Sequence, residues 1–430
     1  MSGQLVPCPG GETVSRFSIL GICAVGLICG VLPTRAQTSP PPFITKALAD
    51  YGRLPTDVWQ DPAIKPAEAL TFLRVGPGQK VVDFLPGSLY WTRLFYKIAG
   101  EKGKVYPFVP QIGCRPTRNA ECDQGAPYST SMGYKNRPKE TLMGDPRQNG
   151  INQALELEAT TPFRNLYTLW NVAGQFSVPE QLDLVWIAGH YHDLHTKRYQ
   201  VDMGDFNARI FESMNPGGIL VVADYAAAPG AGFKQVETLH RVEKEAVKAE
   251  VMKAGFLLDG ESTLWAKPTD DHSKPVADDT APGAADMFLL RFKKPMNAPP
   301  PRRPTRAQLA GWIDSNFTGP GDPQEYKGGG IFYNGDGTYQ EYRGATNYQG
   351  TWFLDAGGQI CLRHEFPGYV RGLLGCHPWV EKKPGDVWQE DVNRDKPATV
   401  TLRKEHTYPP KPAPNDRPGE LPPPNAGRIF

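Results

Sequence analysis

The stretch that most constrains this chain is Val81–Arg93, with the sequence VVDFLPGSLYWTR. A short apolar run ends in Asp83, and a tight turn follows at Pro86 and Gly87. Beyond the turn, apolar residues recur at helical spacing, which predicts a helix over Leu89–Ala99. A strand, a glycine turn and a helix in this order present a helix N-terminus and close backbone to a nucleotide-like ligand in an α/β sheet.

Strand and helix signals alternate along most of the remaining chain. We predict strands over 80–85, 103–109, 165–170, 182–188 and 219–223, with two closing strands over 256–258 and 287–292. Predicted helices cover 63–75, 205–214 and 233–253. This alternation is typical of a sheet with helices on both faces.

The composition changes after a Pro-rich linker at 296–305. A hairpin signal, Asn-Gly-Asp-Gly at 334–337, lies between short runs rich in aromatic and β-branched residues. Residues 306–405 are therefore predicted to form a small all-β, barrel-like domain of about 100 residues. Residues 406–430 are Pro-rich and are predicted to be disordered.

The N-terminal segment has the features of a signal peptide. Arg16 precedes an apolar run over 17–32, and small residues follow up to Ala36. We predict cleavage after Ala36, a flexible leader over 37–62, and export, with a periplasmic location and no stable membrane insertion afterwards. The alternative is an uncleaved membrane anchor.

The cysteines fit an exported protein. Seven are present, and four lie beyond the predicted cleavage point, in two local pairs. In an oxidising compartment this arrangement suggests the disulfides Cys114–Cys122 and Cys361–Cys376, with free buried thiols as the alternative. Neither pair has the C-x-x-C spacing of a zinc or redox site.

The overall charge gives no reason to expect an anionic partner. The formal net charge is +1, with 47 basic and 46 acidic residues among 430. A nucleic-acid-binding protein would carry a basic excess, so we predict a small-molecule substrate or ligand and no nucleic acid.

The stretch Val81–Arg93 resembles the cofactor loop of the class I methyltransferases, which bind S-adenosylmethionine (SAM). In that family the first strand ends in an acidic residue, followed by a loop of the form D-x-G-x-G-x-G. Asp83 and Gly87 match the acid and the middle glycine, and Leu85 and Leu89 stand where the outer two glycines would be. The resemblance implies a Rossmann-like, seven-stranded α/β sheet with a terminal antiparallel pair.

A second resemblance is to an exported, methyltransferase-like bacterial family, and it covers a domain over 63–295. It is carried by the Leu-Pro-Gly turn with Tyr90 and Thr92, by Tyr-His-Asp at 191–193, and by His240-Arg241. The resemblances imply SAM as cofactor and a cofactor-binding set of Asp83, Leu85, Gly87, Tyr90, Thr92 and Asp224. The family's ribose-binding acid after the second strand is missing here, because that strand runs into Pro110. The C-terminal region resembles small lipocalin-like modules in its Asp-Gly-Thr hairpin and Gly-Thr-Trp strand start.

Candidate catalytic residues follow the fourth predicted strand. Ligands of open α/β sheets bind beyond the carboxyl ends of the strands, where His190, His192, Asp193 and Asp224 are expected to converge with Asp83. Methyl transfer to an O–H or N–H group requires proton removal. We predict His192 as the base with Asp193 orienting its ring, His190 as second choice, and His240 as a further member.

Two alternatives to a SAM-dependent methyltransferase remain open. The first is a methyltransferase fold that has changed its cofactor and binds a ligand or partner outside the cytoplasm, where SAM is not made. The second is a metal-dependent hydrolase, because the segment after strand four and Asp224 offer enough nitrogen and oxygen ligands for a divalent ion: His190, His192, Asp193, His195 and Asp224. The interpretation as a SAM-dependent methyltransferase assigns no metal ligands.

Overall fold

The computed structural model describes residues 39–111, 149–174, 176–199, 201–277 and 282–300, and in the C-terminal region 315–318, 329–334, 337–343, 346–354, 360–365, 374–377, 383, 385–390 and 398–403. The predicted signal peptide, the Cys114–Cys122 pair and the tail lie outside these residues. Among the helices described from Pro42 onwards, none combines the length and apolarity needed to span a bilayer.

Seven strands build the central sheet. They are β1 (Lys80–Phe84), β2 (Lys104–Gln111), β3 (Leu169–Val172), β4 (Leu182–Ala188), β5 (Met214–Tyr225), β6 (Leu257–Ser262) and β7 (Met287–Lys293). Their order is β3-β2-β1-β4-β5-β7-β6. The pairs from β3 to β5 are parallel, and β7 runs antiparallel to both β5 and β6. The Rossmann-like α/β prediction is therefore confirmed, including its reversed strand.

Helices cover both faces of this sheet. They are α1 (Pro42–Leu48), α2 (Pro55–Ile64), α3 (Pro66–Leu73), α4 (Tyr90–Ala99), α5 (Asn149–Thr160), α6 (Met203–Ser213), α7 (Val236–Leu239) and α8 (Lys244–Lys253). Because strand side chains alternate between faces, neighbours such as Val81 and Val82 enter separate core clusters. Helices α1 to α4 supply one cluster, and α6 and α8 supply the other.

The predicted helix over 233–253 is two short helices, and this prediction was wrong. Between α7 and α8 the chain leaves the helical path at His240, which adopts a left-handed conformation with φ of 53°. Val242 then forms a parallel bridge with Ala226, donating its N–H to the carbonyl of Tyr225 at 3.0 Å. Pairing with the chain after β5 therefore replaces helical hydrogen bonds in this segment.

The C-terminal region supplies eight strands: β8 (Ser315–Thr318), β9 (Gly329–Tyr333), β10 (Thr338–Arg343), β11 (Thr346–Leu354), β12 (Ile360–Glu365), β13 (Leu374–His377), β14 (Val387–Glu390) and β15 (Ala398–Arg403). Their order is β14-β15-β8-β9-β10-β11-β12-β13, with antiparallel neighbours. The predicted hairpin is confirmed as β9–β10.

A closed barrel is not confirmed by the described strand pairs. Strand β13 has β12 on one side and, on the other, pairs in parallel with β3 through Leu374 and Leu169, which continues the array into the central sheet. Cys361 of β12 is disulfide-bonded, and the register places Cys376 of β13 directly opposite it. The position of this pair fits the predicted Cys361–Cys376 bridge.

Candidate functional site

The carboxyl ends of β1, β4 and β5 meet at one edge of the sheet. The three strands are parallel neighbours, with Asp83 beside Trp186 and Ala188 beside Ala223. The chain continues from β1 to β2 on one side, whereas β4 lies on the other, so the strand order reverses here. Such reversal points are where open α/β sheets bind ligands. The predicted convergence of Asp83, His192 and Asp224 at this edge is thus consistent with the topology.

Asp83 is a buried carboxyl group with a short hydrogen bond. Its residue is 2 % exposed, and the hydroxyl of Thr92 donates to Oδ2 at 2.5 Å. Burial raises the pKa of Asp83 to about 7, and the bond from Thr92 opposes the rise only in part. Asp83 and Thr92, both predicted to bind the cofactor, therefore link β1 to α4.

The loop after Asp83 keeps a glycine-like backbone although two of its positions are leucine. The φ angles of Leu85, Gly87 and Leu89 are 53°, 52° and 65°. Leu89 is buried at 2 % exposure, and Leu85 packs against the core. Gly87 is exposed, with no atom within 4 Å of an added Cβ. The leucine side chains thus pack into the fold, and the open backbone lies around Gly87.

Tyr90 has a structural partner on the N-terminal helices. Its hydroxyl donates to Oδ1 of Asp61 at 2.6 Å, and Arg53 binds both oxygens of the same carboxylate at 2.6 and 2.7 Å. Burial, followed by the nearby Asp61, raises the pKa of Tyr90 well above its usual range. Its hydroxyl therefore fastens α4 to α2, which is a different role from the predicted cofactor contact.

Asp224 accepts hydrogen bonds from both the backbone and the ring of His192. The backbone N–H of His192 donates to Oδ2 of Asp224 at 2.7 Å, and its Nδ1 donates to Oδ1 at 2.8 Å. Both residues are almost fully buried, at 2 % and 0 % exposure. Asp224, the last acid of β5, therefore orients His192, which is the role that we predicted for Asp193.

Asp193 instead orients His190. Nδ1 of His190 donates to Oδ2 of Asp193 at 2.9 Å. The other oxygen, Oδ1, lies 3.3 Å from Nε2 of His192 and 4.0 Å from Nδ1 of His240. Burial would raise the pKa of Asp193, but the hydrogen bond from His190 and the nearby His192 imidazole hold it well below its usual range. Asp193 is therefore an anion among three imidazoles.

His240 reaches this cluster because of the break between α7 and α8. Its ring lies 5.5 Å from that of His192, centroid to centroid, at an interplanar angle of 85°. The next residue, Arg241, is 2 % exposed and anchors the turn. Its guanidinium donates to the carbonyl of Ala226 at 2.9 Å and binds the Asp270 carboxylate at 2.9 and 3.2 Å. His240 therefore lies beside His192 on a turn rather than on the predicted helix, and its catalytic role stays a prediction.

The charge state of His192 changes its predicted role. Burial would lower its pKa, but the charge and hydrogen bond of Asp224 and the nearby Asp193 carboxylate raise the pKa to about 10. An imidazole that is already protonated at neutral pH does not accept a proton. His192 is therefore a buried cation that contacts both Asp224 and Asp193.

His195 belongs to a separate network. Its Nε2 lies 3.1 Å from a Glu250 oxygen, and its ring stacks on Phe233 at 3.9 Å between centroids. The hydroxyl of Tyr191 donates to the same Glu250 at 2.6 Å. His195 thus helps to fix the segment after β4 to α8, and the catalytic candidates that come together are His190, His192, Asp193 and His240.

The roles of two members of this arrangement were missed in the sequence. Asp224 was assigned to the cofactor although it holds His192, and Arg241 was noticed only beside its neighbour. Ending a buried strand in Asp was a usable signal for Asp224, because such a carboxylate needs a nearby donor. Arg241 had no comparable signal, since its partners lie far away in the chain.

Comparisons with known proteins give distant structural similarities. No family model and no curated protein matches the chain. A SAM-dependent methyltransferase from Aquifex aeolicus is similar at 16 % identity and a TM-score of 0.35, over 58 % of this chain and 96 % of that one. The N-methyltransferase NodS from Bradyrhizobium japonicum WM9, solved with S-adenosyl-L-homocysteine, has 15 % identity and a TM-score of 0.34, over 59 % and 96 %. A possible exported protein from Bordetella parapertussis has 14 % identity and a TM-score of 0.33, over 57 % and 71 %.

Proposed function

We propose that this chain is a SAM-dependent methyltransferase acting on a small molecule. The observation that carries the proposal is the sheet itself, with the order β3-β2-β1-β4-β5-β7-β6 and a reversed β7. This is the sheet implied by the resemblance of the Val81–Arg93 loop. The loop lies at the point where the strand order reverses, which is where such a sheet takes its ligand.

The backbone of the loop supports SAM as the cofactor. Leu85 and Leu89 adopt the left-handed conformation that glycine would provide, and Leu89 is buried away from solvent. The exposed Gly87 leaves bare backbone just before the N-terminus of α4, where N–H groups favour the cofactor's polar atoms. The substitutions at the outer glycine positions are therefore compatible with a SAM-binding loop.

The acceptor substrate would bind on the β4 and β5 side of the loop. His190 and His240 are the more accessible imidazoles there, with side chains 25 % and 38 % exposed. We assign proton removal from the acceptor to one of these two rings. His192 would hold Asp193 in place, because its own pKa of about 10 keeps it protonated.

The direct test is calorimetric titration of SAM and of S-adenosyl-L-homocysteine into the full chain. Gly87→Val places a β-branched side chain at a left-handed position in the loop and should weaken SAM binding at least tenfold. Gly78→Val is a matched control, because Gly78 is also left-handed, has no atom within 4 Å of an added Cβ, and precedes the opposite end of β1. Absence of SAM binding by the unaltered chain would refute the proposal.

Export and an accessory module complete the proposal. The signal-like segment before Gln37 supports a periplasmic location, and the disulfide-bonded Cys361 fits an oxidising compartment. We further propose that the C-terminal strands form a lipocalin-like accessory module. N-terminal sequencing of protein recovered from the periplasm should begin at Gln37, whereas a retained 17–32 segment would contradict cleavage.

A further inference from the structure

We propose that Nε2 of His192, Oδ1 of Asp193 and Nδ1 of His240 bind one divalent transition-metal ion, of which zinc is the best fit. The proposal concerns only these three side chains and does not depend on SAM binding.

The three atoms are spaced as metal ligands are. All lie within 4.8 Å of one another, with Oδ1 of Asp193 at 3.3 Å from Nε2 of His192 and 4.0 Å from Nδ1 of His240. Tetrahedral zinc with bonds of about 2.1 Å separates its ligands by roughly 3.4 Å. A movement of His240 by about 1 Å would bring its Nδ1 close to these separations, and His240 lies on a turn.

Two of these atoms have no other hydrogen-bonding role. Nε2 of His192 and Nδ1 of His240 are both shielded from solvent, and neither makes a hydrogen bond within the described residues. His192 as a whole is 2 % exposed. A buried polar atom without a hydrogen bond costs about 1–3 kcal/mol, so native proteins rarely keep one without a purpose. Both atoms face the same carboxylate oxygen, which a bound cation would explain.

The surrounding residues prepare these ligands. Nδ1 of His192 donates to Asp224 at 2.8 Å, so the proton that a metal would displace from this ring is the one on Nε2, and its loss frees the Nε2 lone pair for the ion. Oδ2 of Asp193, the oxygen that would not bind the metal, accepts a hydrogen bond from Nδ1 of His190 at 2.9 Å. A carboxylate behind a ligand histidine and a hydrogen bond to a ligand carboxylate are the usual outer partners of bound metals.

The donor set indicates the class of metal. Two imidazole nitrogens and one carboxylate oxygen suit zinc and its first-row neighbours, whereas magnesium and calcium prefer all-oxygen sites. Three protein ligands leave a fourth position for water or a substrate atom. The half-exposed side chain of His240 places that position on the accessible side of the cluster.

The competing explanation is an ion-pair cluster without metal. In that case His192 would carry its second proton on Nε2 beside Asp193, and zinc would bind no better here than at any surface histidine. A matched pair of variants separates the two. His240 and His272 both have left-handed backbones, with φ of 53° and 59°, and asparagine tolerates this conformation. His272 binds Asp286 at 2.9 Å and lies outside the cluster.

The experiment uses the full chain, stripped with a chelator and dialysed against zinc, with the metal content measured by mass spectrometry. We expect one zinc per chain, retained by His272→Asn and weakened at least a hundredfold in His240→Asn. Cobalt substitution should give the d–d absorption bands of a tetrahedral site in the unaltered chain and in His272→Asn only. Circular dichroism checks that both variants are folded.

Three outcomes would overturn the metal site: no zinc uptake by the unaltered chain, equal uptake by His240→Asn, or equal loss in both variants. Zinc bound at cysteines would be unaffected by His240→Asn and so cannot imitate the expected result. A SAM titration of the same samples keeps the proposals apart, because zinc uptake without SAM binding refutes only the methyltransferase, and the converse refutes only the metal site.

Discussion

At the scale of single residues, the candidate site is built from charged groups that are buried and paired. Asp83 is 2 % exposed and has Thr92 as its hydrogen-bond donor, whereas Asp224 receives three donors, from His192 and from the backbone of Tyr225. Burial destabilises a carboxylate unless donors or cations compensate. The two aspartates, at the ends of β1 and β5, therefore differ in their surroundings, and burial raises the pKa of Asp83.

Asp83 should make stability depend on pH. Its pKa is about 7 in the folded chain and about 3.9 when unfolded, so the folded state binds the proton more tightly. The stabilisation is complete below pH ~4 and is lost as the pH rises through about 7. Asp83→Asn, which mimics the protonated acid, should gain on the order of 3 kcal/mol relative to the unaltered chain between pH 5 and 8. Urea unfolding measures this, and a constant difference would contradict it.

The two leucines of the loop should differ in how much stability they lose on replacement by glycine. Leu85→Gly relieves a left-handed strain of about 1–2 kcal/mol and loses only partial packing, so its stability should change by less than about 1 kcal/mol. Leu89→Gly relieves similar strain but empties a buried position, and should lose about 2 kcal/mol or more. Urea unfolding of the two variants in parallel tests the assignment, and a larger loss at Leu85 would contradict it.

At the scale of elements, sequence patterns predicted those strands and helices whose bounds are determined by the local sequence. Strand β4 (Leu182–Ala188) was predicted at its observed bounds because it is an unbroken apolar run, and α4 was predicted to within one residue because a turn precedes it. The break after α7 could not be predicted. No Gly or Pro marks it, and its cause is the bridge of Val242 to Ala226, a contact distant in sequence.

The sequence also predicted only part of the candidate site, because contacts between distant residues determine the rest. Its location followed from the rule that strand carboxyl ends converge, so His190, His192, Asp193 and Asp224 were found together. Which carboxylate faces which imidazole depends on side-chain directions after β4, and these are fixed by the short 3-10 helix His192–His195. Sequence spacing carries no information about such directions.

Arg241 should be the residue that keeps the His240 turn in place. Its guanidinium is buried and holds Asp270 and a carbonyl of the chain after β5. Arg241→Met leaves the Asp270 carboxylate without its cation and should cost about 3 kcal/mol. Arg209→Met is the matched control, because Arg209 pairs with Asp205 on the surface of α6 and such pairs contribute ~1 kcal/mol or less. Equal losses in urea unfolding would contradict the role of Arg241.

At the scale of the whole molecule, one sheet edge gathers Asp83, Asp224 and the catalytic candidates after β4. The loop after β1, the 3-10 helix after β4 and the acid ending β5 are contributed by three parallel neighbours. The C-terminal strands join the array far from that edge in strand order, beyond β3. Ligand binding and catalysis should therefore be confined to the central strands, and the C-terminal strands should be unaffected by SAM.

The most direct test of a cofactor site at this sheet edge is hydrogen exchange of the full chain with and without S-adenosyl-L-homocysteine, followed by mass spectrometry. We expect slower exchange in peptides that cover the Leu85–Leu89 loop and the segment from Gly189 to His195, and no change in β9 and β10. Protection confined to the C-terminal strands, or no protection at saturating ligand, would contradict a cofactor site at the carboxyl edge of the central sheet.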